Sequence, residues 1–103
     1  MIRVSVLYAN GEGKKFDMAY YCGKHIPMVK QKLGAACKGA TVDQGISGAQ
    51  PGSKPPYVAV GHLLFDSVET FQAAFGPHAQ TIMGDIPNYT DIQPIIQIND
   101  VKM

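Results

Sequence analysis

Residues 19–29, AYYCGKHIPMV, bring a phenol, a thiol and an imidazole together and follow them with a proline. His25 is the proton-transfer candidate, since an unperturbed imidazole titrates near pH 6.5, close to neutrality. Tyr21 stands one helical turn before it on the same face. Its hydroxyl can donate to a carbonyl or enolate oxygen, or its ring can simply fill the core with the hydroxyl at the rim. Cys22 falls three positions before His25, where it allows a thiolate–imidazolium pair or serves as a small core residue. Pro27 removes the backbone donor that would reach the Gly23 carbonyl and pushes Ile26 away from helical dihedrals. A bend there would free an acceptor beside the imidazole. His25 is therefore either a pocket group or a core histidine bonded to a backbone carbonyl.

His62 is the second candidate, in the strand-like run VAVGHLLF after Gly61. A glycine within a strand marks close approach by a ligand or another backbone. His62 points either into a helix-side pocket, where it can act with His25 and Tyr21, or into an interface between sheets. Tyr8 and Tyr57, at opposite ends of two strands, are further candidates for contacting a ligand. His78 follows Pro77 at the margin of a helical stripe and reads as solvated. No two of the three histidines form an HxH or HxxxH pair, and no carboxylate stands at ligand spacing to them, so no metal is expected. NGEGKK has the spacing of neither a P-loop nor a dinucleotide fingerprint, and no cofactor is expected.

The elements that must carry these groups follow from periodicity. Ile2, Val4, Val6 and Tyr8 alternate with Arg3, Ser5 and Leu7, a half-buried strand over 2–8. Asp17 is the expected N-cap of a helix reaching Leu33, with Phe16 as its staple and Gly34 as its stop. A weaker strand is expected over 38–46 and an irregular loop over 47–56. YVAVGHLLF, 57–65, is apolar on both faces, as a central strand is. Ser67 should cap a second helix whose stripe is Val68, Phe71, Phe75, Ala79 and Ile82, split at Gly76–Pro77. Phe71 and Phe75 on that stripe are expected to contact the ligand. A last strand is expected over 90–98, at an edge because Pro94 cannot donate to a ladder. The order is βαββαβ, an α+β, ferredoxin-like arrangement with an antiparallel sheet in one domain, 1–103.

Both helices of this arrangement cover one side of the sheet. The other side of 57–65 is apolar whichever face it is, and such a patch marks an interface. The expected partner is a second copy, sheet face to sheet face, unless the 47–56 loop folds over it. The chain has 103 residues, nine basic and eight acidic, with no charged stripe, so nucleic acid and anionic membranes are not expected partners. No signal peptide or apolar span is recognisable, and Cys22 and Cys37 have no CxxC spacing; a cytoplasmic protein with free thiols is expected.

FDMAYYCGKHIPMV, followed by PGSKPPYVAVGHLLFDSVETFQAAFGPHAQTIMGDIPNYTDIQPIIQI, resembles the EthD family over nearly the whole chain. The resemblance implies the dimeric α+β barrel, in which two ferredoxin-like subunits join their sheets. It also matches the family's H-x-P pattern with His25 and Pro27, which favours a pocket role for His25. Relatives of that fold include muconolactone isomerases, polyketide cyclases, cofactor-free monooxygenases and haem-degrading enzymes. Some of these ligate haem through a histidine on the second helix, which draws attention to His78 without assigning it. Fold alone does not choose among these chemistries. Two functions stand open. One is a cofactor-independent enzyme of oxidoreductase, isomerase or cyclase type, with His25 moving a proton on a small hydrophobic or aromatic substrate. The other is a binding, carrier or accessory protein for a hydrophobic metabolite.

Overall fold

A computed structural model describes all residues, 1–103. β1 spans Ile2–Ala9, and its alternation sends Ile2, Val4 and Tyr8 to the buried side. Asp17 caps the first helical arm, its Oδ1 accepting from the Tyr20 N–H at 3.0 Å. Phe16, just before the cap, packs on Tyr21 with ring centroids 5.1 Å apart, the staple expected from the sequence. The arm runs as α1 (Met18–Tyr20), a π-helical turn (Tyr21–His25) and α2 (Ile26–Leu33). Gly34 ends α2 at φ +63°, a conformation that costs a side-chain-bearing residue.

The proline acts differently from expectation. Ile26 keeps helical dihedrals, φ −62° and ψ −43°, and its N–H reaches back to the Tyr21 carbonyl. The turn widens by one residue instead of breaking, which makes room for the pyrrolidine ring at the start of α2.

β2 (Gly39–Gln44), β3 (Tyr57–Phe65) and β4 (Ile95–Asp100) complete the sheet. Its order is β2-β3-β1-β4 and every neighbour is antiparallel. This is a four-stranded α+β fold of ferredoxin-like type, with β3 central and β4 at an edge. The second helical arm is α3 (Val68–Phe75), a 3-10 turn at Gly76–His78, and α4 (Ala79–Gly84), capped by Ser67 accepting from the Thr70 N–H at 3.1 Å.

The last strand starts later than its alternation suggests. Thr90 Oγ1 takes the Ile92 N–H at 3.0 Å and donates to the Lys15 carbonyl, tying 90–92 to the chain before α1. Pro94 has no N–H to give, so pairing begins at Ile95 and runs on to Asp100.

Both arms lie on one face of the sheet. Val29 and Leu33 of α2 and Ile82 of α4 pack on Ile2, Val4, Leu63 and Phe65. Beside this aliphatic core lies an aromatic one, built from Tyr8, Tyr21, Ala59, Tyr89 and Ile92 with Phe16 against it.

Candidate functional site

Where the two cores meet, the packing leaves a cavity of about 230 Å³. Its floor is Val4, Val6, Gly61 and Leu63 of the sheet. Phe71, Phe75 and Ile82 close one side and Ile26 and Val29 another. Among its lining residues only Tyr8, Tyr21 and His25 carry a side-chain oxygen or nitrogen.

His25 is 4 % exposed, which makes its partner decisive. Its Nδ1 lies 2.9 Å from Asp85 Oδ2, so a hydrogen on Nδ1 is the assignment the network requires. The Nε2 nitrogen then carries the lone pair. It bonds to nothing else in the chain, yet no fully buried side-chain polar atom lacks a partner, so Nε2 keeps some exposure, and His25 is one of the residues that line the cavity. The wide π turn sets this geometry by aiming Tyr21 and His25 to the same side, their rings stacked 5.5 Å apart at 14°.

Asp85 follows α4 as its C-cap. It also accepts from the Tyr20 hydroxyl at 2.7 Å and the Asn88 amide at 2.8 Å. Burial pushes its carboxyl up, but the bonds from Asn88, His25 and Tyr20 outweigh that and hold it below its ordinary value. Burial pushes His25 below its ordinary value, opposed only in part by Asp85. Near neutral pH the pair is therefore a carboxylate accepting from a neutral imidazole, rather than an ion pair. A proton added to the imidazole would sit beside the Asp85 carboxylate as its counter-charge.

The tyrosines stay protonated. Burial pushes Tyr8, Tyr21 and Tyr89 well above the usual phenol range, so they act as donors. The hydroxyls of Tyr8 and Tyr89 are 2.6 Å apart. The Tyr21 hydroxyl stands beside this pair and interacts with that of Tyr8. It lies over Gly61, where a Cβ would collide with it. The glycine in the central strand thus makes way for a phenol of the same chain.

Of the residues singled out in the sequence, His25, Tyr21, Tyr8, Phe71 and Phe75 converge on this cavity. His62 and Tyr57 do not line it. His62 lies on the opposite face of the sheet, because Gly61 and Leu63 take the helix side. There its Nδ1 is 3.0 Å from Ser5 Oγ and its Nε2 is 3.4 Å from Asp43. Asn99 donates to the same serine at 3.0 Å, and Gln97 donates to Asn99 at 2.6 Å. This polar seam crosses all four strands. His62 is thus too far round the sheet to assist His25 within one subunit. Tyr57 is half-buried where the β1–β3 pairing shifts register at Ala9. His78 is half-buried outside the cavity. Cys22 is exposed, with its thiol 3.7 Å from the Met18 sulfur, and takes no part in the pocket that its spacing had offered it. No cluster of side chains suited to hold a metal ion occurs. No helix is long and apolar enough to cross a membrane.

Asp85 was not singled out from the sequence. A signal for it exists: an acidic residue closing a helix sits at the negative end of the dipole, where it is disfavoured unless something else holds it.

The EthD domain matches residues 10–93 of the chain. An EthD-like protein of Ralstonia eutropha JMP134 is 48 % identical, covering 99 % of this chain and 92 % of its own, with a TM-score of 0.95. An EthD family protein of Bacillus halodurans C-125 shares the fold at 17 % identity and a TM-score of 0.67, with 99 % of each chain covered. An Arabidopsis thaliana protein does so at 12 % and 0.62, covering 100 % of this chain and 97 % of its own. No curated protein sequence matches significantly. The domain match, together with a relative nearly half identical over almost the whole length, establishes that the chain belongs to the EthD family.

Proposed function

We propose that this protein is a cofactor-independent enzyme in which His25 transfers a proton on a small hydrophobic or aromatic substrate. One observation carries this reading: a buried imidazole, bonded through Nδ1 to Asp85 and with Nε2 unshared, lines a largely apolar cavity. The substrate C–H or O–H gives its proton to Nε2. The resulting imidazolium gains the Asp85 carboxylate as counter-charge, and the electron pair left on the substrate spreads to an oxygen that accepts from the Tyr21 hydroxyl. Returning the proton at another carbon gives an isomerase. Attack of the carbanion on an internal electrophile gives a cyclase, and electron transfer from it to dioxygen, which is reduced as the carbon is oxygenated, gives an oxidoreductase of the cofactor-free kind.

The measurement is exchange of the α-hydrogens of small ketones for deuterium, followed by proton NMR in D2O. The wild type should accelerate exchange and His25→Gln should abolish it, while ligand affinity stays within about threefold. Exchange that survives in His25→Gln removes the catalytic role of His25. The apolar lining also suits a second reading, a carrier or accessory protein for a hydrophobic metabolite. In that case wild type and variant bind alike and neither exchanges.

The working unit in this proposal is a homodimer joined through the open sheet faces, each subunit one EthD-like domain over 1–103. Val58, Val60 and Leu64 are only half-buried on that face, and Ile95 is exposed there on the edge strand β4, opposite Leu7. Its free cysteines suit a reducing compartment, so we place it in the cytoplasm.

A further inference from the structure

We infer that the cavity selects an uncharged molecule of roughly nine heavy atoms that carries one carbonyl-type oxygen, and that it rejects carboxylates of the same size. The inference deepens the proposed function and rests on its reading of this cavity as the ligand chamber.

Size sets the first limit. An apolar cavity of about 150 Å³ takes up benzene, so about 230 Å³ accommodates a ring with a short substituent. Charge sets the second. No lysine, arginine, aspartate or glutamate lines the chamber. Asp85 lies behind His25 with three donors already on its oxygens. A carboxylate entering here would lose its hydration and meet no cation, because burial keeps the imidazole neutral. Hydrogen bonding sets the third. The unshared acceptor is His25 Nε2, and the donor on the lining is the Tyr21 hydroxyl, which must turn from Tyr8 to serve a ligand. A ligand that satisfies both must accept at one atom and present an acidic hydrogen nearby. An enolisable ketone, a lactone or a neutral phenol does so; a plain hydrocarbon does not.

Three probes of one shape separate these limits: acetophenone, isopropylbenzene and benzoate. Binding to the intact protein is read by ligand-observed NMR and by titration calorimetry at neutral pH. Acetophenone should bind roughly tenfold tighter than isopropylbenzene, the worth of one satisfied hydrogen bond. Benzoate should bind at least about a hundredfold more weakly than acetophenone. Tyr21→Phe, which keeps the ring, should bring acetophenone and isopropylbenzene to the same affinity. Benzoate binding as tightly as acetophenone overturns the inference. So does isopropylbenzene matching acetophenone in the wild type, or none of the three binding up to its solubility. The wild-type ranking decides the matter even if Tyr21→Phe fails to fold. If that ranking holds while no α-hydrogen exchange is seen, the catalytic reading falls and this one stands.

Discussion

The behaviour of His25 is decided by two opposing influences whose sum has a definite sign. Burial disfavours the imidazolium more than Asp85 favours it, so the folded state holds the proton less tightly than the unfolded chain does. An unfolded histidine binds its proton near pH 6.5, so acidification through that value favours unfolding. The loss begins at about pH 6.5, continues to the lower folded value and then levels off. Asp85 adds a second loss, with the same sign, only below its ordinary carboxylate range. Urea denaturation at a series of pH values should show stability falling as the pH drops below about 6.5 in the wild type. His25→Gln should abolish that slope while costing about 1–3 kcal/mol at neutral pH through the unpaired Asp85. A slope unchanged in the variant would assign it to another group. Under the proposed function, turnover should carry the same signature, an acid limb in kcat/KM below about pH 6.5. Asp85→Asn keeps a carbonyl for Nδ1–H but removes the counter-charge and allows the ring to bond in the wrong orientation. It should move the acid limb further down and lower kcat about a hundredfold or more, measured as α-hydrogen exchange. An Asp85→Asn enzyme with wild-type kcat would leave the carboxylate a purely structural residue.

At the level of elements, what the sequence makes legible is what local chemistry controls. Asp17 and Ser67 cap as their side chains dictate, Gly34 ends α2 in the left-handed region, and Gly76–Pro77 splits the second arm. Tyr21 and His25 are legible as pocket residues because a four-residue spacing survives the widened turn. Three features were not legible, each because a distant contact decides it. Asp85 meets His25 across 60 positions of sequence. The face of His62 depends on which side of β3 the arms choose, and strict alternation is silent on that. The start of β4 depends on Thr90 reaching back to Lys15, which overrides an alternation that reads as strand from residue 90. Gly61 lies between these classes: it signals close approach without naming what approaches. Since the neighbour is the Tyr21 hydroxyl, Gly61→Ala must either push that ring away or move the π turn. It should cost about 1–3 kcal/mol in urea denaturation, as overpacking does. It should also reduce α-hydrogen exchange more than the nearby Ala59→Gly. A Gly61→Ala protein as stable and active as the wild type would show that the Tyr21 hydroxyl has room to spare.

The whole molecule presents a sheet with one face finished and the other not. The arms bury Ile2, Val4, Leu63 and Phe65, whereas Val58, Val60 and Leu64 on the reverse are half-covered only by one another and their neighbours. Both edges, β2 and β4, offer free backbone groups, and an exposed apolar edge invites association unless it is covered. A purely apolar face would associate in many registers. The seam Asp43–His62–Ser5–Asn99–Gln97 runs across this one, and a polar band that must find partners restricts how two copies can meet. A homodimer is the expected state in light scattering at tens of micromolar. Val60→Glu sets a carboxylate between Leu7 on β1 and Asp43 on β2, in the middle of the proposed contact. Within one subunit that face is open enough to take the charge into water, so a lone subunit should lose little. Covered by a partner, the same carboxylate is buried without a cation and should drive dissociation to monomers. Cys22→Glu, at an exposed site on the other side of the sheet, controls for added charge and should stay dimeric. A wild type that is monomeric at that concentration, or a Val60→Glu protein as dimeric as its control, would mean that the open face is not where two copies join.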